Sequence, residues 1–297
     1  MKFLITGGAG FIGSHLARRL SARGSVTVLD DLSTGKKGNL AGINCTFLQG
    51  SILDPAPLAE ACAGATHVLH LAALVSVPES VAHPARCQEI NVEGTHRVLA
   101  AAAQAGAQRF VLASSCAVYG DEPTMPKTET SPVAPASPYA KSKLEGEKLC
   151  AAGPLPGVAL RFFNVYGPRQ DPRGPYAAAV PKFIEAARAG TPLTIFGEGH
   201  QTRDFVHVED VTAALEHAAL SPKMAGVYNV ASGHSVSVLR LAEMVCALTG
   251  LRSEIRHAPA RAGDILHSSA SIEKIRSTGW GPSFDLTTGL QKILSAG

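Results

Sequence analysis

The chain has 297 residues, of which 45% are hydrophobic and 17% are charged, and its formal net charge is +3 at pH 7. This composition excludes a disordered or fibrous protein and predicts a compact globular one with an ample core. No basic run goes beyond Lys36-Lys37, so we expect no nucleic-acid partner. No apolar run reaches membrane-spanning length and no signal peptide precedes the first strand, which predicts a cytoplasmic protein without a membrane partner.

Short apolar runs alternate with amphipathic stretches in the first half of the chain. The runs typical of buried strands are 2–6, 25–30, 43–50, 66–73, 109–115 and 158–164. The stretches with helical spacing are 11–24, 55–63, 91–106 and 137–152. This alternation predicts an α/β fold, with a doubly wound parallel sheet and helices on both faces.

The alternation ends after Asn164. A loop rich in Pro, Gly and Arg covers 167–175 and is followed by a predicted helix over 177–190 and a strand over 192–196. A strand leading into a helix is predicted over 204–221, a strand over 226–232 and a clear helix over 236–250. We therefore predict a first domain over 1–163, to which residues near 204–231 return. A smaller, discontinuous α/β domain then covers 164–203 and 232–297.

The six cysteines are scattered, without a CxxC pair or a ligand-like spacing to histidine. We expect reduced thiols and no metal site. His67 and His70 lie three residues apart in a predicted strand, where such side chains point to opposite faces.

A glycine-rich turn joins the first predicted strand to the first helix. Gly7, Gly10 and Gly13 let the backbone turn tightly and approach a pyrophosphate, and the helix that begins near Phe11 offers its free N–H groups to that anion. The second strand ends in Asp30 and Asp31, at the distance expected of an acid that binds the adenine ribose. The charge of Asp30 disfavours a 2′-phosphate, so NAD is predicted rather than NADP.

Tyr139 and Lys143 lie one turn apart on one face of a predicted helix. An ammonium beside a phenol favours the phenolate, so we expect Lys143 to lower the pKa of Tyr139 and make it a general base. Ser115 ends a predicted strand, where a hydroxyl faces the cofactor crevice and can bridge substrate and Tyr139.

Together these segments resemble the extended short-chain dehydrogenase/reductases, in their NAD-dependent sugar-nucleotide epimerase/dehydratase branch. The matching motifs are GGAGFIG (7–13), SSCAVYG (114–120), SPYAKSK (137–143), RFFNVYGPRQ (161–170), QTRDFVHVEDV (201–211) and RAGD (261–264). The resemblance implies a Rossmann-type domain that binds NAD, a smaller domain that binds a nucleotide sugar, and a homodimer.

The resemblance also implies roles for individual positions. Tyr139 is the base, Lys143 also binds the nicotinamide ribose, and Ser115 binds the reacting hydroxyl. The positions at or beside the cofactor are Gly7, Gly10, Phe11, Ile12, Gly13, Asp30, Asp31, Ser33, Ser51, Ile52, Leu71, Ala72, Ala73 and Asn91. The positions on the substrate side are Ser115, Cys116, Asn164, Arg169, Arg203, Arg261, Asp264 and Ser268.

The residues after Ser115 bear on the reaction. Dehydratases of this family carry acidic or polar residues there, and decarboxylases tend to keep a Glu, whereas this chain has Cys116 and Ala117. This favours 4-epimerization, which needs one base. A dehydratase that uses the Cys116 thiol stays an alternative, as do a nucleotide-sugar reductase and a non-catalytic NAD(P)-sensing protein.

Ser268 bears on the size of the sugar. It lies where 4-epimerases restricted to non-acetylated hexoses tend to carry Tyr, so the resemblance leaves room for an N-acetyl group. The predicted substrate is therefore a UDP-hexose or a UDP-N-acetylhexosamine.

Overall fold

The computed structural model describes residues 1–173, 178–250, 253–260 and 265–295. The chain divides into two compact units. The first unit comprises Met1–Glu122, Pro132–Phe162 and Thr212–Tyr228, and the second comprises Pro123–Ser131, Phe163–Val211 and Asn229–Gly297.

The main sheet has seven strands. They are β1 (Lys2–Thr6), β2 (Ser25–Asp30), β3 (Thr46–Gln49), β4 (His67–His70), β5 (Arg109–Ser115), β6 (Gly157–Phe162) and β10 (Gly226–Val230). Their order is β10-β6-β5-β4-β1-β2-β3, and β1 to β6 pair in parallel. The order reverses between β4 and β1, and folds of this kind bind ligands at the carboxyl ends of the strands on either side of such a reversal. The predicted doubly wound fold is confirmed.

The α-helices lie between these strands and after them. They are α1 (Phe11–Leu20), α2 (Pro55–Cys62), α3 (Val77–Ala82), α4 (Pro84–Gln88), α5 (Gly94–Gln104), α6 (Pro138–Ala152), α7 (Ala179–Arg188), α8 (Val208–Leu220), α9 (Val238–Thr249), α10 (Glu273–Arg276) and α11 (Leu286–Ser295). A π-helix over Glu89–Glu93 leads into α5, and a 3₁₀ turn over Cys116–Tyr119 follows β5. Among the described residues, no helix has the length and apolarity to cross a membrane.

The core of the first unit follows from its apolar strands. Leu4, Val68 and Phe110 on three neighbouring strands are fully buried and pack in one cluster with Val98 of α5. Parallel strands covered on both faces carry such continuous apolar runs, which is why the sequence predicts them well.

Two smaller sheets lie in the second unit. The first has the order β11-β9-β7, with β7 (Asn164–Tyr166), β9 (Thr202–His207) and β11 (Ser235–Ser237), and the second pairs β8 (Leu193–Phe196) with β12 (Ile255–Ala258). Phe183 of α7, Leu193 of β8, Leu241 of α9 and Leu290 of α11 pack in one buried cluster.

Residues 123–131 belong to the second unit, whereas they are predicted to lie in the first domain. Backbone hydrogen bonds hold this segment: Lys127 N donates to Ser269 O at 2.9 Å, and Ser271 N donates to Lys127 O at 2.8 Å. Asn229 Nδ2 also donates to Lys127 O at 3.0 Å. A short polar segment held by its backbone carries no periodic signal in the sequence.

Candidate active site

The glycine-rich turn forms a close cradle between β1 and α1. Gly7 has a φ of +72°, and a Cβ at this position would lie 2.7 Å from the backbone N of Ala72. A Cβ at Gly13 would collide with the carbonyl oxygen of Gly7. Gly10 is the N-cap of α1 and caps it with no side chain, so the first-turn N–H groups and the positive end of the helix dipole are available to an anion. These features fit the pyrophosphate of a dinucleotide.

Asp30 lies at the end of β2 against this turn. Its Oδ2 accepts from Ala9 N at 2.9 Å and its Oδ1 accepts from Leu32 N at 2.8 Å. Burial raises the pKa of Asp30, and the two backbone hydrogen bonds oppose that rise. The neighbouring Asp31 is exposed and holds Ser33 through both the backbone N and the hydroxyl, at 2.9 and 2.6 Å. Each oxygen of Asp30 has a lone pair left to accept from a ribose hydroxyl.

The remaining cofactor positions follow β3 and β4, at the same edge of the sheet. Leu71 N donates to Thr6 O at 3.1 Å, which draws the segment after β4 towards β1. Ser51 Oγ accepts from Leu53 N at 3.1 Å, and the side chain of Ile52 is buried. The structure therefore brings the glycine turn, Asp30, Ser51, Ile52 and residues 71–73 to the carboxyl ends of β1 to β4.

Ser115, Tyr139 and Lys143 meet at the carboxyl end of β5. Ser115 ends the strand, and its side chain forms a hydrogen bond with that of Tyr139 in the first turn of α6. Lys143 Nζ donates to Ala113 O at 2.9 Å and lies 5.8 Å from the centroid of the Tyr139 ring. The three predicted catalytic side chains thus share one site.

Burial sets the charges of this site. It raises the pKa of Tyr139 to about 12, although the Ser115 hydrogen bond opposes the rise. It lowers the pKa of Lys143 to about 8, and electrostatic interactions with Cys87 and Glu147 oppose this fall. The pKa of Tyr139 is therefore raised and not lowered as predicted, because desolvation of the phenolate is the largest effect on it. At neutral pH the pair consists of a phenol and an ammonium.

The hydroxyls of Ser80 and Ser142, which are not among the predicted site residues, bond to the backbone of Tyr139. Ser80 Oγ accepts from Tyr139 N at 3.1 Å, and Ser142 Oγ donates to Tyr139 O at 2.8 Å. Asn91 lies in the π-helix, where its Nδ2 donates to Ser142 Oγ at 2.9 Å and to Leu74 O at 3.0 Å. Its Oδ1 accepts from Leu74 N at 2.7 Å. Asn91 therefore ties the segment after β4 to the first turn of α6.

A buried chain of hydrogen bonds crosses the sheet below the crevice. Thr6 Oγ1 and His70 Nδ1 lie 2.6 Å apart, and His70 Nε2 and Thr95 Oγ1 lie 2.9 Å apart. Thr95 Oγ1 donates to Asn91 O at 2.6 Å, so it accepts from Nε2, and Thr6 donates to Nδ1. Burial lowers the pKa of His70 to about 3, which keeps the ring neutral. In the sequence, the one indication of these hydrogen bonds is that Thr6 and His70 are polar residues at the ends of apolar strands.

Three predicted substrate residues lie in or beside the small sheet of the second unit. Asn164 Nδ2 donates to Asp204 O at 3.1 Å, and Arg203 Nη1 donates to Thr202 O at 2.9 Å. Ser268 N donates to the same Thr202 O at 3.1 Å, which fixes its backbone beside β9.

The other predicted substrate positions lie outside that sheet or outside the described residues. Arg169 is exposed in the loop after β7, with a φ of +68°. Arg261 and Asp264 lie outside the described residues. Cys116, which follows Ser115, is half-buried and is not in a disulfide.

A cavity of about 710 Å³ lies in the second unit. Its lining includes Lys182, Phe183, Thr194, Phe196, Gln201 and Val238. Apolar and aromatic walls with a few polar groups are typical of sites for small molecules, and the volume is in their usual range.

Comparisons with known proteins agree with this geometry. Residues 3–231 match the NAD dependent epimerase/dehydratase family. A solved UDP-N-acetylglucosamine 4-epimerase from Methanobrevibacter ruminantium, in complex with UDP-N-acetylmuramic acid, is 37% identical over 99% of this chain and 97% of that one, with a TM-score of 0.94. A UDP-glucose 4-epimerase from Thermus thermophilus in complex with NAD is 37% identical over 99% and 98%, with a TM-score of 0.91.

A similar sequence also comes from a known 4-epimerase. The UDP-glucose 4-epimerase of Mycolicibacterium smegmatis is 39% identical over 99% of this chain and 97% of its own length. The predicted resemblance and the predicted NAD dependence are confirmed. The chain belongs to the NAD dependent epimerase/dehydratase family.

Proposed function

We propose that the chain is a 4-epimerase that uses NAD to invert C4 of a nucleotide diphosphate sugar, a UDP-hexose or a UDP-N-acetylhexosamine. The observation that carries this is the strand end at Ser115, where Tyr139 and Lys143 converge and where neither Cys116 nor Ala117 has a carboxyl group. Epimerization needs one group that takes a proton and returns it, whereas elimination of water needs a further acid and base.

Tyr139, Ser115 and Lys143 have different roles in this reaction. Tyr139 first loses its own proton to solvent, and as a phenolate it accepts the proton of the sugar 4-hydroxyl and later returns it to the 4-keto oxygen. Ser115 orients that oxygen through a hydrogen bond. Lys143 places a positive charge beside the Tyr139 ring, which stabilises the phenolate as it forms. Bound NAD supplies the hydride acceptor and donor for C4.

The second unit supports a nucleotide sugar as the ligand. Its cavity of about 710 Å³ is large enough for part of such a molecule. Arg203 offers a planar guanidinium, which suits a diphosphate because it can donate two parallel hydrogen bonds. We propose Asn164, Arg169, Arg203, Arg261, Asp264 and Ser268 as the residues around the substrate.

The direct test is to incubate the protein with UDP-glucose and with UDP-N-acetylglucosamine and to follow the products by ¹H NMR. We expect C4-inverted sugars at equilibrium, with no net change in NADH absorbance. Release of water or CO₂ would contradict the proposal, and stoichiometric consumption of NADH would indicate a reductase. A protein that binds NAD but converts no sugar would be a sensor.

The half-exposed thiol of Cys116 keeps one alternative open, a dehydratase in which that thiol acts as acid or base. Cys116→Ser separates the two reactions. An epimerase keeps most of its activity because the serine preserves the small volume, whereas a thiol-dependent elimination is lost because a serine hydroxyl is a far weaker acid.

We also propose that the enzyme works in the cytoplasm as a homodimer. The six cysteines all lie among the described residues and none is in a disulfide, which agrees with a reducing compartment. The dimer is an expectation from the family resemblance, and multi-angle light scattering would test it. A monomer at micromolar concentration would contradict it.

A further inference from the structure

Three residues on one face of α6 contact three consecutive residues of β5. Tyr139, Lys143 and Glu147 follow one another at intervals of four, which places them on one side of the helix. Tyr139 bonds to Ser115, and Lys143 Nζ donates to the Ala113 carbonyl at 2.9 Å. In the third contact the buried Ser114 hydroxyl donates to Glu147 Oε1 at 2.5 Å.

The carboxylate of Glu147 is also held by a buried arginine. Arg161 of β6 donates through Nε to Oε1 at 2.8 Å and through Nη2 to Oε2 at 2.7 Å. Both side chains are only 5% exposed. Bidentate pairs of a guanidinium and a carboxylate are strong and directional, and they fix the orientation of both groups. Glu147 is therefore held on β5 and on β6 at once.

Arg161 extends the contact to the turn that follows Ser115. Its guanidinium carbon lies 4.7 Å from the centroid of the Tyr119 ring, and Tyr119 is fully buried at the end of the 3₁₀ turn. The ion pair thus contacts α6, the end of β5 and the turn after it. These are the segments that carry Tyr139, Lys143 and Ser115.

We propose that Glu147, held by Arg161 and Ser114, is a positioning residue for the reaction, because it keeps α6 in the register in which Tyr139 and Lys143 face Ser115. The inference rests on the proposed function for its kinetic consequences. Its structural part, the placement of the Tyr139 phenol, is independent of which sugar is converted.

The negative charge of Glu147 has a second effect. Lys143 is faced by Tyr139 and Glu147 from its own helix, by Cys87 of α4 and by His70 of β4. Burial lowers the pKa of Lys143, and Glu147 opposes that shift. Removal of the carboxylate charge should therefore make Lys143 lose its proton at a lower pH.

The test compares E147Q with a matched control, E216Q. Glu216 of α8 is also largely buried, and it bonds to Arg19 of α1 and to Arg23, which follows that helix. For E147Q we expect kcat to fall about tenfold or more with KM within about threefold, as for lost orientation. The alkaline limb of its pH profile should move to lower pH. For E216Q we expect a loss of thermal stability only.

A second readout does not depend on turnover. The chain has five tyrosines, so ¹³Cζ-tyrosine labelling gives a simple NMR spectrum in which Y139F assigns the signal of Tyr139. We expect this signal to move in E147Q and to stay in place in E216Q. If the parent protein converts no sugar, the proposed function fails while this measurement still decides the positioning role.

Two results would overturn the inference. One is a folded E147Q with the kcat, pH profile and Tyr139 signal of the parent, and the other is a loss of kcat that E216Q shares. Should E147Q not fold, S114A removes only the hydroxyl that bonds to Glu147 Oε1. An unchanged kcat and Tyr139 signal in S114A would then refute the proposal, and a fall of kcat with a moved signal would support it.

Discussion

At the scale of single residues, Tyr139 and Lys143 have opposite pKa shifts with the same cause. Both groups lose water contact, so each shifts towards its neutral form, and the pKa of Tyr139 rises to about 12 while that of Lys143 falls to about 8. A neutral lysine would give the phenolate no support. The protonation of Lys143 therefore sets the upper pH limit of the chemistry.

This gives the sign of the pH dependence. Below pH 8 Lys143 is an ammonium, and above that value it loses its proton, so kcat should fall as the pH rises through about 8. The measurement is kcat between pH 6 and 10. Lys143→Arg keeps the charge throughout this range, so the alkaline fall should disappear even if the rate is lower. Lys141→Arg, an exposed neighbour on α6, is the control. A Lys143→Arg variant with the parent's alkaline fall would contradict the assignment.

Ser268 offers a test of sugar size. Its backbone N bonds to Thr202 O, so a substitution changes the side chain while the backbone stays paired. In Ser268→Tyr we expect turnover of UDP-N-acetylglucosamine to fall about tenfold or more relative to UDP-glucose, because the larger side chain competes with the N-acetyl group.

The control for this prediction is Ser268→Ala, which should leave the ratio of the two turnover rates within about twofold. The ratio is measured with both substrates under the same conditions. A Tyr variant with the parent's ratio would remove Ser268 from the substrate site.

At the scale of elements, the chain from Thr6 through His70 and Thr95 to Asn91 links β1, β4, α5 and the π-helix. Each donor in it has one acceptor, and His70 stays neutral because burial lowers its pKa to about 3. A buried network with every member satisfied specifies one arrangement, and the loss of one member leaves the others unpaired.

Thr95→Val should therefore be costly although its shape is nearly that of threonine. It leaves His70 Nε2–H without an acceptor, for which we expect a loss of about 1–3 kcal/mol in the free energy of unfolding. Urea denaturation measures this loss. Thr95→Ser keeps the hydroxyl and is the control. A Val variant as stable as the Ser variant would show that these hydrogen bonds contribute nothing to the free energy of unfolding.

The sequence predicts some elements of this site and not others, for physical reasons. The parallel strands and the glycine turn are evident because apolar runs and tight turns leave local patterns. Glu147 and Arg161 look like ordinary surface charges in the sequence, since a buried ion pair is a long-range contact. The π-helix that carries Asn91 likewise has no periodicity of its own.

At the scale of the whole molecule, the cofactor should contribute to stability as a ligand does. Any molecule that binds only the folded state stabilises it in proportion to the logarithm of its concentration over its Kd. We expect the cradle at Gly7 and Gly13 to accept the pyrophosphate of either dinucleotide, and the carboxylate of Asp30 to repel a 2′-phosphate. The two dinucleotides should therefore differ in the stabilisation that they give.

We expect NAD to raise the melting temperature of cofactor-free protein more than NADP does at the same concentration. Differential scanning fluorimetry measures this, and each tenfold difference in Kd corresponds to about 1.4 kcal/mol. ADP-ribose and its 2′-phosphate serve as controls, because they should show the same preference if the adenine ribose decides it. A larger shift with NADP would contradict the role of Asp30.

The three contacts between α6 and β5 also limit where the chain tolerates a change in length. One residue inserted or deleted between Tyr139 and Glu147 turns the rest of the helix by about 100°, since a helix has about 3.6 residues per turn. At least one of the three side chains would then face away from β5. Insertions after Gly153, beyond the last of these contacts, leave that spacing intact. Natural or engineered relatives should therefore vary in length outside 139–147 and keep that interval constant.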